Sequence, residues 1–263
     1  MTQIEPPDNG VIRPVKGKSD PAIGPDAVMV MVASDLNYLL LKTKARKLAF
    51  TGAGLYGLYQ TGDPSLPKMS IAGPFMGAPQ AVMGMEKLIA LGADRIWVLG
   101  WCGSLQPDVR IGEVILPVRA VSEEGVSAHY PLTDGAPESD AKLTQLLERA
   151  LEEQGIGGKK GMVWTTDAIY RETPHKIRDY GARGLLGVEM EMSALLTVSA
   201  FRGVALAALL VVSDEIFDLK WRPGFSSPLF KRRTRLAGDV MIRALQSART
   251  GGTPFDAQPE NRP

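Results

Sequence analysis

The sequence predicts a single α/β domain with a central, mostly parallel or mixed sheet flanked by helices. Residues 205–212 are eight apolar residues in a row, entered after Gly203 and left through Ser213-Asp214. A run that short, apolar at every position, is expected to be a strand buried on both faces. Residues 28–32 are a further short run of this kind, and residues 95–100 read as another strand. Between such runs lie stretches of helical period, as in residues 79–91, where Val82, Met85, Leu88 and Ile89 share one face. Strands alternating with helices describe an α/β fold. At 263 residues the chain can bury a substantial core. No repeat or internal linker divides it, so residues 27–248 are expected to form one domain.

In chain order, residues 1–26 carry Pro6, Pro7, Pro14, Pro21 and Pro25 with little apolar periodicity, the pattern of an extended or disordered arm. The strand at 28–32 runs into Ser34-Asp35-Leu36-Asn37-Tyr38, read as a loop at its carboxyl end. Residues 51–59 are Gly-rich and suit a hairpin or bent strand, and Gly62-Asp63-Pro64 has the chemistry of a turn. Residues 69–72 lead through Gly73-Pro74 into the helix at 79–91. The strand at 95–100 is followed by a glycine-punctuated loop, Gly100-Trp101-Cys102-Gly103, and then by Gly112-Glu113-Val114 before the next strand. Residues 143–153 form an amphipathic helix, and 161–170 a strand then a loop.

Glu189 and Glu191 are read as the start of the next helix, where partly positive backbone amides favour carboxylates. Standing two residues apart, they point to different sides, so at most one is expected to face a site. The 205–212 strand follows. Open α/β sheets bind ligands beyond the carboxyl ends of their strands, and Ser213 and Asp214 stand at such an end. Ser226-Ser227-Pro228 opens a last helix with a capping hydroxyl and an early proline, running to about residue 246. Residues 249–263 are read as a disordered tail.

Composition narrows the function classes. Apolar residues at 44% and charged ones at 22% are ordinary for a soluble globular protein, and a net charge of +1 offers no field for nucleic acid or an anionic membrane. No apolar run approaches a membrane span, and the N-terminus lacks the charged-then-apolar order of a secretory signal. One cysteine, Cys102, and two histidines show no metal-ligand spacing and allow no internal disulfide. The expectation is a cytoplasmic protein without a metal.

Val188-Glu189-Met190-Glu191, with Ser213-Asp214 downstream, closely resembles the purine and uridine nucleoside phosphorylase superfamily. The resemblance covers about residues 28–246 and implies a trimeric or hexameric enzyme that breaks the N-glycosidic bond of nucleosides. It assigns Glu191 to the ribose hydroxyls, Met190 to the sugar face, and Asp214 to protonation of a departing purine. The strand and loop at 161–170 correspond to a family segment whose aromatic stacks on the base, which points to Tyr170 and Ile169, with Gly103 and Ser213 lining the base side. The family's phosphate region falls on Ser34, Asp35 and Trp101. No organic cofactor is implied; inorganic phosphate is the co-substrate of a phosphorylase. The 123–130 loop is also similar to one near the family's active site and makes His129 a weaker candidate.

The chain departs from the pattern where phosphate binds. Tyr38 and Val98 stand in place of two arginines, and Trp101 in place of a Ser or Thr. Three readings follow: a phosphorylase whose phosphate ligands come from Arg46, Arg110 or a neighbouring subunit; a nucleosidase of the same fold that uses water; and a nucleoside-binding protein without turnover. A pure binder has no use for a positioned acid, and phosphorolysis is the commoner chemistry of the family, so the first is preferred.

Overall fold

The apolar run after Gly203 is the strand around which the sheet is organised. The structure, a computed structural model, describes residues 10–51, 54–132 and 135–250. Its strands are β1 (Asp26–Val30), β2 (Arg46–Lys47), β3 (Gly57–Gln60), β4 (Ser70–Gly73), β5 (Arg95–Ser104), β6 (Val114–Glu123), β7 (Gly158–Thr166), β8 (Gly187–Glu189), β9 (Ala205–Glu215) and β10 (Arg222–Pro223). The α-helices are α1 (Ala33–Lys42), α2 (Ala78–Leu91), α3 (Ala141–Glu152), α4 (Pro174–Ala182), α5 (Met192–Arg202) and α6 (Pro228–Thr250). The strands form one mixed sheet in the order β10-β9-β6-β7-β8-β5-β1-β4-β3-β2. Because β9 also pairs with β5, the middle strands close on themselves into a ring.

Strand β9 shows why a run apolar at every position is needed here. Leu206, Ala208, Leu210 and Val212 enter one core cluster, while Ala207, Leu209 and Val211 enter another. Alternate side chains leave a strand on opposite faces, so both faces of β9 are covered. Helices α2 and α5 supply the first cluster; α1, α3 and α6 supply the second. A smaller third cluster sets α4, through Ile177 and Tyr180, against Trp164 and Leu105.

Several boundaries differ from the sequence reading. The loop expected at residues 101–103 is strand: β5 continues to Ser104 because its far end pairs with both β8 and β9, with a register shift between Cys102 and Gly103. The loop expected at residues 33–38 is the start of α1, which follows β1 after a two-residue step. Glu189 ends β8 and Glu191 is the N-cap of α5, so that helix begins at Met192, after both carboxylates. Ser213 and Asp214 lie inside β9 near its end, not beyond it. The hairpin expected over 51–59 is narrower: β3 pairs antiparallel with β4, and residues 52 and 53 lie outside the described residues. Asp63 does make a turn, accepting from the Ser65 amide at 3.0 Å.

Of the expected arm, residues 1–9 lie outside the described residues. Residues 10–25 contain no helix or strand, yet Asp20 and Ile23 are buried and Asp20 accepts from the amides of Gly17 and Thr51. At the other end α6 runs past residue 246 to Thr250, and Arg249 reaches Asp26 at 3.3 Å. The rest of the expected tail, residues 251–263, lies outside the described residues.

Candidate active site

A cavity of about 680 Å³ opens at the carboxyl ends of β5 and β9. The short strand β8, the start of α5 and the turn before α2 close its other sides. Glu189, Met190 and Glu191 all line it, so both carboxylates face the cavity, contrary to the expectation that at most one would. The reason is backbone geometry: the pair sits on a strand end and an N-cap, and the helical rule for their directions does not apply.

The two glutamates are held differently. Glu189 accepts from the amides of Glu191 and Met192, both at 2.7 Å, and from the Thr165 hydroxyl. Its carboxylate thus caps the first turn of α5, where amides lack helical partners. Glu191 accepts one bond, from the Gly77 amide at 2.6 Å. Gly77 has φ +80°, a region open to glycine, and this turns its N–H toward the cavity. Burial pushes both carboxyls well above the ordinary glutamate range, and the charge of Glu189 pushes Glu191 further. Two adjacent buried carboxylates resist joint ionisation, so the pair holds a proton near neutrality.

Asp214 faces the cavity from β9. The Ser213 hydroxyl reaches its Oδ1 at 2.6 Å and the Cys102 carbonyl at 3.2 Å, while the Trp221 indole donates to Oδ2 at 3.1 Å. Burial raises the Asp214 pKa; the bonds from Ser213 and Trp221 work against that. Gly103 lies against it across the β5–β9 pair. A Cβ at Gly103 would stand 3.1 Å from Asp214 Oδ2, so a side chain there would crowd the carboxyl. Ile169 and Tyr170 sit on a 3-10 turn at the mouth, 54% and 98% exposed. Tyr170 is therefore no core residue; its ring is free to lie on a ligand.

The nucleophile side is built otherwise than expected. Trp101 lines the cavity, but Ser34 and Asp35 do not: they lie in the first turn of α1, behind the indole. Trp101 donates its indole N–H to Asp35 Oδ2 at 2.7 Å and packs edge-on against Phe230. Burial lifts the Asp35 pKa to about 6, against the lowering effect of the Trp101 and Ser34 bonds. Tyr38 points away to α6, where its hydroxyl donates to Asp239 at 2.9 Å, and Val98 is core. Neither proposed substitute arginine lines the cavity: Arg46 is on the edge strand β2, and Arg110 is paired with Glu215 at 2.8 Å. Among the described residues no Lys or Arg lines the cavity at all.

His129 is exposed and also lies off the cavity. The 123–130 loop reaches the site indirectly: Glu124 accepts from Ser193 Oγ at 2.9 Å, at the start of α5. Sequence reasoning missed Phe75, Glu172, Trp221 and Phe225, all of which line the cavity. Two aromatics in the loop after β9 were the available signal for Trp221 and Phe225. Glu172, in a polar helix approach, gave none. No helix among the described residues is long and apolar enough to cross a membrane, and no group of three or more His, Cys, Asp or Glu among them is placed to hold a metal.

The family model of the phosphorylase superfamily matches residues 28–246. A DeoD-type purine nucleoside phosphorylase of Caldanaerobacter subterraneus is 33% identical over 165 residues, 62% of this chain and 70% of that one. One from Bacillus cytotoxicus is 33% identical over 159 residues, 60% and 68% of the two chains. In fold, the chain is similar to purine nucleoside phosphorylase from Toxoplasma gondii in complex with immucillin-H, with TM-score 0.78, 22% identity and coverage of 88% and 94%. It is also similar to uridine phosphorylase from Vibrio fischeri, with TM-score 0.76, 23% identity and coverage of 86% and 93%. A match across most of the sheet, on the strands and helix that build the cavity, makes this chain a member of the phosphorylase superfamily.

Proposed function

We propose that the chain cleaves the N-glycosidic bond of a purine-type nucleoside, releasing free base and ribose 1-phosphate. Glycosidic cleavage passes through a ribose with oxocarbenium character, which needs a fixed sugar, a protonated leaving base and a nucleophile at the anomeric carbon. Glu191 takes the ribose hydroxyls, since a carboxylate accepts from two neighbouring donors, with Met190 against the sugar. Asp214, its pKa raised by burial, is the acid that faces the base nitrogen as the bond breaks. Tyr170 and Ile169 cover the base, and Gly103 and Ser213 shape that side. The observation that supports this reading most is the meeting of Met190, Glu191 and Asp214 in one cavity, from either end of the α5 connection between β8 and β9.

Inorganic phosphate is the co-substrate in this reading, with no organic cofactor and no metal. The protein works in the cytoplasm on a small-molecule nucleoside, without a nucleic-acid or membrane partner, as a homo-oligomer, trimer or hexamer. Assembly matters, because the cavity of one copy brings phosphate no cation among its described residues. A neighbouring subunit is the remaining source. A second reading, hydrolysis by water, is favoured by Trp101, whose indole lines the cavity where the resemblance puts phosphate and is held by Asp35 behind it. A panel of nucleosides incubated with and without phosphate, watched for free base, tests the proposal. Release of base from no nucleoside would sink both readings.

A further inference from the structure

Four carboxyl side chains line the cavity: Glu172, Glu189, Glu191 and Asp214. Three are already engaged. Glu189 is held by two amides and Thr165, Glu191 by the Gly77 amide, and Asp214 by Ser213 and Trp221. Glu172 is different. It follows the 3-10 turn that carries Ile169 and Tyr170, it is half-buried, and its carboxyl takes no hydrogen bond from any described residue. A carboxyl withdrawn from water without a partner is costly unless something in the cavity pairs with it.

Its neighbours say which part of the ligand that is. Glu172 is near enough to Asp214 to feel its charge, and it shares its segment with the two residues that cover the base. Glu191 and Met190, the sugar end, come from a different element. We infer that Glu172 is a specificity-determining residue that pairs with the polar edge of the six-membered ring of the purine. This rests on the nucleoside-cleaving reading above and deepens it by naming the base edge recognised.

Burial and the Asp214 charge lift the Glu172 pKa to about 7, so near neutrality the carboxyl can donate as well as accept. Such a group matches a ring edge where a donor stands beside an acceptor. The 6-amino edge of adenine offers N–H next to N1, and the 6-oxo edge of hypoxanthine offers N1–H next to O6. The ribonucleoside of unsubstituted purine has no donor on that edge and leaves the carboxyl's acceptor unpaired. A site built around a hydrogen bond rejects ligands that lack it.

The test compares kcat/KM for adenosine, inosine and unsubstituted purine ribonucleoside in wild type, Glu172→Ala and Glu172→Gln. Wild type should prefer the better of adenosine and inosine over the unsubstituted analogue. In Glu172→Ala that preference should shrink by roughly tenfold to a hundredfold, the size expected for a lost bond to an ionisable group. Glu172→Gln keeps one donor and one acceptor and should retain most of the preference, which guards against a folding artefact. A preference unchanged in Glu172→Ala would overturn the inference, as would an equal loss for all three substrates. If wild type cleaves none of them, the proposed function has failed instead. Calorimetry with free adenine, hypoxanthine and purine then reads the Glu172 contact without turnover, by the same change in preference.

Discussion

Glu189 and Glu191 stand two residues apart in sequence and are held by different partners, which separates their roles. Glu189 is tied to two amides of α5 and to Thr165, so its bonds serve the helix start. Glu191 has one bond, from Gly77, and the rest of its carboxyl is available to a sugar. Glu191→Ala should reduce kcat/KM by about 2–4 kcal/mol while leaving the melting temperature nearly unchanged. Glu189→Ala should cost about 1–2 kcal/mol of stability through the lost cap. Steady-state kinetics and thermal melts on the two variants check this, and the opposite pattern would reverse the assignment. Trp221 offers a second test. Its indole N–H favours the ionised form of Asp214, so Trp221→Phe should raise the Asp214 pKa further. If protonated Asp214 is the working acid, the alkaline limb of the pH–rate profile moves to higher pH. A shift to lower pH would remove Asp214 from that role.

At the scale of elements, the site depends on how closely β9 and β10 are joined. Gly224 donates its amide to the Ser213 carbonyl at 2.8 Å. A Cβ there would stand 2.7 Å from that carbonyl oxygen and 2.4 Å from Ile111 Cγ2. Ile111 can move, but the carbonyl belongs to the strand that carries Asp214. Gly224→Ala should therefore cost about 1–3 kcal/mol of stability by overpacking and lower turnover with it; a variant with normal melting and full activity would show that the strand end yields freely. The same elements show what a sequence can reveal. Strands β1 and β9 were legible because both their faces are buried, and the start of α6 because Ser227 and Pro228 mark it. The far half of β5 was not: Gly100-Trp101-Cys102-Gly103 has loop composition, and only pairing with β8 and β9 makes it a strand. Helix α1 was missed because Val32, at its N-cap, carries no capping oxygen. The Glu189 and Glu191 motif was visible, but their shared cavity depends on a strand end that local periodicity does not encode. The Trp101–Asp35 contact joins residues far apart in sequence, so no spacing announces it.

For the molecule as a whole, the carboxyls at the site make stability depend on pH in a definite direction. Burial raises Asp35 to about 6 and Glu172 to about 7, and moves Glu189, Glu191 and Asp214 the same way. Between the ordinary carboxyl range near ~4 and these raised values, the folded state binds more protons than the unfolded chain. The contribution of these groups is thus fully present below that ordinary range and is lost as pH rises through the folded values. The melting temperature at fixed ionic strength should fall from about pH 5 to about pH 7.5, and Glu191→Gln should flatten the fall; a melting temperature rising over that range would contradict it. The same carboxyls bear on the nucleophile. Asp35, with a pKa of about 6, is mostly ionised at pH 7.5 and lies behind Trp101. A negative charge there opposes phosphate, but from behind the indole and off the cavity it cannot take a proton from an attacking water. Asp35→Asn tests that charge, and the product separates the two chemistries. With phosphate as nucleophile, the variant should form ribose 1-phosphate with an unchanged or lower apparent phosphate constant, because a repelling charge has gone. With water, the product should be ribose and the rate should not depend on phosphate. We expect the first result, with a rate that saturates in phosphate. Cleavage that runs equally fast in phosphate-free buffer and releases ribose would assign the chain to hydrolysis.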